Sequence, residues 1–212
     1  MCKEPDVCCE LALQPINAFK LDAAILFSDI LTIPDSFGLG VEFVEKEGPV
    51  FNNPINSSTD ISNLDHFDPE SLDYVYKAVK NIKNSLPEEI PLIGFCGSPW
   101  TLAAYSIEGR SSKDFEKTLN FLVSNQKDVH NLLTKYTDAC FLYLRRQVQS
   151  GADVIQIFDS WANLLTKEGL IEYSFNYINA LISALKLDPV TKNIPVIVFA
   201  RNPKCNIEEL IN

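Results

Sequence analysis

A-A-I-L-F-S-D-I-L, residues Ala23 to Leu31, is the stretch on which the fold turns. Seven of these nine residues are apolar, a short continuous run of the kind a strand shows when helices cover both faces of a parallel sheet. Asp29 breaks the run. A buried strand has no use for an acid in mid-course, so the residue is placed at the strand's carboxyl end. Ligands bind beyond the carboxyl ends of parallel strands, which gives a carboxylate there a functional reading. A cap for the next element, or an ion pair with a basic residue, accounts for the same acid equally well.

Three further runs repeat the pattern: P-L-I-G-F-C (Pro91–Cys96), D-V-I-Q-I-F (Asp153–Phe158) and P-V-I-V-F-A (Pro195–Ala200). Each is followed by polar residues, as S-D follows the first: G-S after Cys96, D-S after Phe158 and R-N after Ala200. Helical patterns separate them. Strands alternating with helices predict right-handed crossovers and a parallel sheet, either an open doubly wound sheet or a (β/α)₈ barrel. Neither G-x-G-x-x-G nor G-x-x-x-x-G-K-[ST] follows any strand, so nucleotide-binding versions lack support. Four strands do not close a barrel, so on that reading the chain is a piece of one.

The remaining segments read in order. A helix is predicted from Pro5 to about Phe19, bent or ended early by Pro15. Val41–Phe51 alternates as a small hairpin, and Phe51–Pro69 reads as a polar, exposed loop. Ser71–Leu86 is a helix stopped by Pro87, and another short one reaches Glu108. A third starts at Ser111 and runs towards Val123, Lys127–Ser150 is longer, and Thr166–Leu187 is helical again. Ile207–Asn212 begins one more.

Composition narrows the function classes. Eighteen Lys and Arg against 28 Asp and Glu leave a formal charge of -10, which disfavours nucleic acid as a partner. No run approaches the roughly 18 apolar residues of a membrane span, so no membrane association is expected. The first residues, M-C-K-E-P-D-V-C-C-E, show neither a secretion signal nor an Arg-rich leader. A cytoplasmic location follows, with a plastid or other organelle as the alternative if a leader is missing. Six scattered cysteines without a C-x-x-C pair read as reduced thiols, and two distant histidines, His66 and His130, make a metal site a poor expectation.

Three long blocks then carry a resemblance: L-Q-P-I-N-A-F-K-L-D-A-A-I-L-F-S-D-I-L (Leu13–Leu31), G-F-C-G-S-P-W-T-L-A-A-Y-S-I-E-G (Gly94–Gly109) and G-A-D-V-I-Q-I-F-D-S-W (Gly151–Trp161). In order and spacing they resemble the uroporphyrinogen decarboxylase family. The resemblance implies a single domain over residues 1–212 that is part of a distorted (β/α)₈ TIM barrel, with about four parallel strands present. It implies removal of four acetate carboxyls of uroporphyrinogen III to give coproporphyrinogen III in haem biosynthesis, by a homodimer that needs no cofactor and no metal. By position it places the catalytic acid on Asp29, the pocket hydroxyls on Tyr105 and Ser160, and the pocket aromatics on Phe95 and Phe158. Alone, these residues read more plainly: Tyr105 as a half-buried helix tyrosine, Ser160 as a helix cap, the phenylalanines as core.

The chemistry suits those types. Loss of CO₂ from an acetate arm puts carbanion character beside a pyrrole, and a protonated pyrrole receives that electron pair. An anion facing the inner N–H groups stabilises the cation, and the two hydroxyls can bond a substrate carboxylate or hold Asp29. Family members are longer, with an arginine-bearing M-R-Q-A-G-R-Y-type segment upstream and a pocket histidine far downstream. Neither is in this sequence, so the 212-residue chain alone is expected not to turn over. Arg201 offers a positive charge at the mouth, but the family more often has Lys then Gly there, and Asn202-Pro203 departs from that. Arg110, where glycine is frequent, reads as surface variation. The alternatives are an inactive remnant of the fold and a corrinoid-linked methyltransferase, whose zinc-thiolate site the dispersed Cys and His do not supply.

Overall fold

Pro5 occupies the first turn of helix α1 (Pro5–Ala18), where its missing N–H costs nothing, and the helix runs on through Pro15 to Ala18. The computed structural model describes residues 3–64 and 66–205. Strand β1 (Ala24–Ile25) leads through Asp29 to a helical turn, α2 (Thr32–Pro34), and then to the expected hairpin of β2 (Val41–Val44) and β3 (Gly48–Phe51). The segment after it is not all exposed loop. Ser57 and Asp60 form a reciprocal capping box that starts α3 (Ser58–Ser62), and Ile55, Ile61 and Leu64 are buried.

Helix α4 (Asp73–Ser85) buries Val75, Tyr76, Val79 and Ile82 along one face and leads to β4 (Leu92–Gly97). Ser98 caps α5 (Pro99–Glu108), accepting from the Thr101 N–H at 3.0 Å, and Gly109 ends it with φ of 81°. Next come α6 (Glu116–Ser124), starting five residues after Ser111, and α7 (Gln126–Gln149). Strand β5 (Val154–Asp159) follows. The predicted helix over Thr166–Leu187 is a helical run interrupted after its first turn by a π turn. It comprises α8 (Lys167–Leu170), the π-helical Ile171–Phe175, and α9 (Asn176–Leu187). Strand β6 (Val196–Ala200) closes the series, and the helix expected over Ile207–Asn212 lies outside the described residues. Among the described residues the cysteines form no disulfide.

The sheet is parallel throughout and ordered β1-β4-β5-β6, the alternation the apolar runs predict. This is an incomplete barrel of the (β/α)₈ type. Its first strand is much shorter than the nine-residue run suggests. Pairing covers Ala24 and Ile25, extended by the Leu26 N–H donating to the Ile93 carbonyl at 2.9 Å. The cause lies in α7. The next β4 peptide to face β1 is that of Phe95, and the buried Gln147 side chain takes both of its groups. The Phe95 N–H donates to Gln147 Oε1 and Gln147 Nε2 donates to the Phe95 carbonyl, each at 2.9 Å. Gly94 leaves room for this, since a Cβ there would stand 2.5 Å from Gln147 Oε1. With its ladder partner replaced by a side chain, the chain leaves the sheet at Phe27 and carries Asp29 away.

The register separates two faces. Ala24, Leu92, Gly94, Cys96, Ile155, Ile157 and Asp159 point under the helices and are buried. Ile25, Ile93, Phe95, Val154, Gln156, Phe158, Ile197 and Phe199 share the other, inner face. That face is apolar yet half open: Ile25, Ile197 and Phe199 keep 43%, 44% and 46% exposure.

Gln147→Leu keeps the volume and strands the Phe95 N–H and carbonyl. Urea unfolding should show a loss of about 2–4 kcal/mol. A loss under about 0.5 kcal/mol would mean that the Gln147 amide is not what replaces the missing strand.

Candidate functional site

At the carboxyl end of β5 the side chains alternate, and Asp159 falls on the helix side. It is fully buried and, among the described residues, forms no ion pair. Three hydroxyls replace the cation: Ser98 Oγ and Thr101 Oγ1 donate to Oδ1 at 2.9 and 3.0 Å, and Ser174 Oγ donates to Oδ2 at 2.5 Å. Ser98 and Thr101 belong to the first turn of α5, whose backbone dipole favours an anion there. Ser174 belongs to the π turn between α8 and α9. Burial pushes the Asp159 carboxyl above the usual range and the three hydroxyls oppose it.

This clamp fixes α5 and the β5 turn in mutual register. Tyr105, two turns along α5, is thereby brought against Trp161, two residues past Asp159. Their rings meet edge to face at 5.7 Å, and Phe115 packs on Trp161 at 4.3 Å. Burial raises the Tyr105 hydroxyl above its ordinary pKa, the nearby Trp161 indole N–H opposes that, and the Asp29 charge adds to it. The indole N–H is itself buried and lacks an acceptor of good geometry.

Asp29 lies four residues beyond the end of β1. Its Oδ1 accepts the Leu31 N–H at 2.7 Å, and among the described residues it makes no other hydrogen bond or ion pair. Burial, first, and the nearby Asp35 charge raise its pKa, against the Leu31 N–H. The reading that Tyr105 or Ser160 holds Asp29 by a hydrogen bond is corrected: neither hydroxyl bonds it. Beside Asp29 a cavity of about 540 Å³ runs under the hairpin, lined by Leu31, Thr32, Val41, Phe43 and Tyr74, with Lys3 paired to Asp35 at its edge. Tyr105, Phe95, Phe158 and Ser160 do not line it.

Phe95 and Phe158 meet on the inner face at 5.5 Å, edge to face, and Phe199 extends the row at 6.0 Å from Phe158. Ser160 continues the alternation of Phe158. Among the described residues its hydroxyl makes no hydrogen bond, so nothing ties it to Asp29 or Tyr105. The structure thus pairs Phe95 with Phe158 and sets Tyr105 against Trp161, while Asp29 lines a separate cavity. Sequence reasoning missed Asp159, Ser174 and Gln147. Asp159 stood in the quoted D-S, and the S-P-W-T helix start after β4 was the signal that hydroxyls would gather near it.

The parallel sheet β1-β4-β5-β6 with its covering helices defines a protein of the (β/α)₈-barrel class. The sequence model described as Uroporphyrinogen decarboxylase (URO-D) matches residues 1–211, and the chain belongs to that family. A uroporphyrinogen decarboxylase from Legionella pneumophila (strain Corby) is 45% identical over 203 residues, spanning 95% of this chain and 57% of that protein. One from Pseudoalteromonas atlantica is 44% identical over 211 residues, 99% of this chain and 59% of that protein. The chain thus spans under two thirds of the length of these curated relatives. Among solved structures, a methyltransferase from Methanosarcina mazei superposes with a TM-score of 0.76 at 18% identity, over 99% of this chain and 59% of that one; that likeness concerns the fold alone.

Two substitutions test the electrostatics. Asp29→Asn keeps the Leu31 N–H bond and removes a partly buried charge. Because folding raises this pKa, the acid's stabilising share is complete below its ordinary value of 3.8 and is lost as pH rises through the folded value. The variant should therefore melt above wild type at pH 7 and converge with it in acid; a lower melting temperature at pH 7 would contradict the assignment. Asp159→Ala strands three buried hydroxyls and should cost about 3 kcal/mol or more in urea.

Proposed function

We propose that the chain carries the acid side of a uroporphyrinogen decarboxylase site, in which Asp29 faces the inner pyrrole N–H groups of the reduced macrocycle. One observation supports this: a partly buried carboxylate with only one oxygen engaged among the described residues, by the Leu31 N–H, beyond the carboxyl end of a strand in a parallel sheet. A free carboxylate oxygen held out of water is a strong acceptor for a cationic, N–H-rich ring. Phe95 and Phe158 supply the apolar wall, while Tyr105 and Ser160 offer hydroxyls to the acid arms.

The reaction balances without a cofactor. A proton adds to the pyrrole α-carbon beside the carbon that bears the acetate arm, and the arm's C–C pair forms the exocyclic C=C bond and neutralises the ring cation as CO₂ leaves. A second proton then makes the exocyclic methylene a methyl, and the ring returns the first. Each turn takes up one proton and releases one CO₂. The anionic Asp29 stabilises the ring cation at both steps, so the rate should fall as pH drops through its raised pKa. The complete protein is read as a homodimer acting in the cytoplasm on uroporphyrinogen III.

A second reading, a fold that binds the ring without turnover, is favoured by one feature: the inner face keeps Ile25, Ile197 and Phe199 half exposed, which leaves water at the reacting arms. Anaerobic incubation with uroporphyrinogen, with products separated by carboxyl number, decides between them. Partly decarboxylated porphyrins support the enzyme, binding alone supports the second reading, and neither sinks the tetrapyrrole proposal. In any form that turns over, Asp29→Asn should lower kcat by about 10²-fold or more without lowering the melting temperature. A wild-type rate in that variant would remove Asp29 from the chemistry.

A further inference from the structure

The chain's formal charge of -10 opposes an anionic ligand, yet one cation stands at the mouth of the inner face. Arg201 follows β6 directly, and its backbone N–H donates to the Asp159 carbonyl at 3.0 Å, so the last sheet bond holds its base. Asn202 turns the chain away with φ of 44°. The guanidinium carbon lies 5.8 Å from the Trp161 ring centre, and among the described residues it pairs with no acid. Trp161 is held in turn, its carbonyl accepting from Trp100 Nε1 at 3.0 Å and its ring lying on Phe115.

We propose that Arg201, laid over Trp161 beside the Tyr105 hydroxyl, forms a carboxylate-binding subsite for one acid arm of a ring bound on the inner face. The proposal rests on the tetrapyrrole reading and adds to it a group that reads the ligand's periphery. Three features carry it. A guanidinium over an indole at 5.8 Å, with no acid paired to it among the described residues, keeps N–H groups that can bond a carboxylate with two parallel hydrogen bonds. Its charge is felt at Tyr105, where it favours the phenolate, so the two groups address one region. The Trp161 indole N–H, buried without an acceptor, gains one if the Tyr105 oxygen turns its lone pair inward and its proton towards the arm. Indole to phenol to carboxylate is then a relay in which Trp161 and Tyr105 orient the arm while Arg201 neutralises it. Asp29, with no proton to give as an anion, faces the N–H groups at the other end of the same ligand.

Fluorescence titration of the full 212-residue chain with uroporphyrin, which carries eight carboxylates, tests this at two salt concentrations. Arg201 is exposed, so Arg201→Gln should melt as wild type does. It should bind uroporphyrin about tenfold more weakly and with a shallower salt dependence, since a charge-assisted bond is lost. Arg201→Lys should recover part of the loss, because it restores charge without the planar fork. Trp161→Phe should weaken binding while leaving the charge in place. Wild-type affinity and salt dependence in Arg201→Gln would overturn the subsite and leave the tetrapyrrole reading standing. Failure of the wild-type chain to bind uroporphyrin would overturn both.

Discussion

A carboxylate buried without a counter-ion is the constraint from which the mouth of this sheet is built. Asp159 ends β5, and removing its charge from water would be costly unless donors surrounded it. Two donors come from the first turn of α5 and one from the π turn before α9. No two of these elements can shift independently without stranding a hydroxyl or the carboxylate. The π turn has a local reason to exist on this view. An extra residue in the helical run over residues 167–187 places Ser174 on the acid, and the bulge is kept because the bond it makes is buried. Everything that faces the ligand side then hangs from the clamp: Tyr105 from α5, Trp161 from the turn after β5, and Arg201 through its backbone bond to Asp159.

The other end of the mouth is set by a substitution of a different kind. In a complete ladder the Phe95 peptide would bond a third residue pair of β1, and the chain through Asp29 would be locked into the sheet. Gln147 supplies those two bonds from below, at the expense of any side chain on Gly94. The consequence is a β1 that pairs over two residues and a segment free to carry Asp29 towards the mouth. A longer first strand would bring regularity and leave the acid pointing with its neighbours along the sheet. The irregularity is therefore where the local hydrogen-bond accounting and the proposed chemistry meet, as is common where a fold departs from its ideal.

Much of the frame was legible because apolar runs and helical spacing are local signals. Four strands, their parallel order, the hairpin and the long α7 all follow from them, and three long sequence blocks pointed to the family. What was not legible was tertiary. The run Ala23–Leu31 is as apolar as a full strand, and nothing within it tells that a glutamine more than a hundred residues later ends its pairing. Ser57-Ser58-Thr59-Asp60 carried a capping box inside a segment whose asparagines and serines read as loop. Asp159 passed unremarked beside Ser160, since an alternation assigns faces only when the register is known. The register puts Asp159 under the helices, where three hydroxyls bond it, so the more strongly bonded of the two residues is the structural one.

Asp29 and Asp159 show how placement divides one residue type between two tasks. Both are pushed up by burial, yet their remaining bonding capacity differs. Asp159 has both oxygens engaged by hydroxyls that belong to the fold, so any ligand would have to compete with the protein for it. Asp29 has one oxygen engaged by its own backbone two residues on, a bond that orients the carboxylate without using it up. The first acid spends its capacity on position, and the second keeps half of its own unspent among the described residues. A charge held in that state costs stability at neutral pH, and the proposed ring cation is what would repay it, because the same low-polarity surroundings that raise the pKa strengthen its attraction for a positive partner. Binding and stability are then opposed at this one residue, the signature expected of a functional acid.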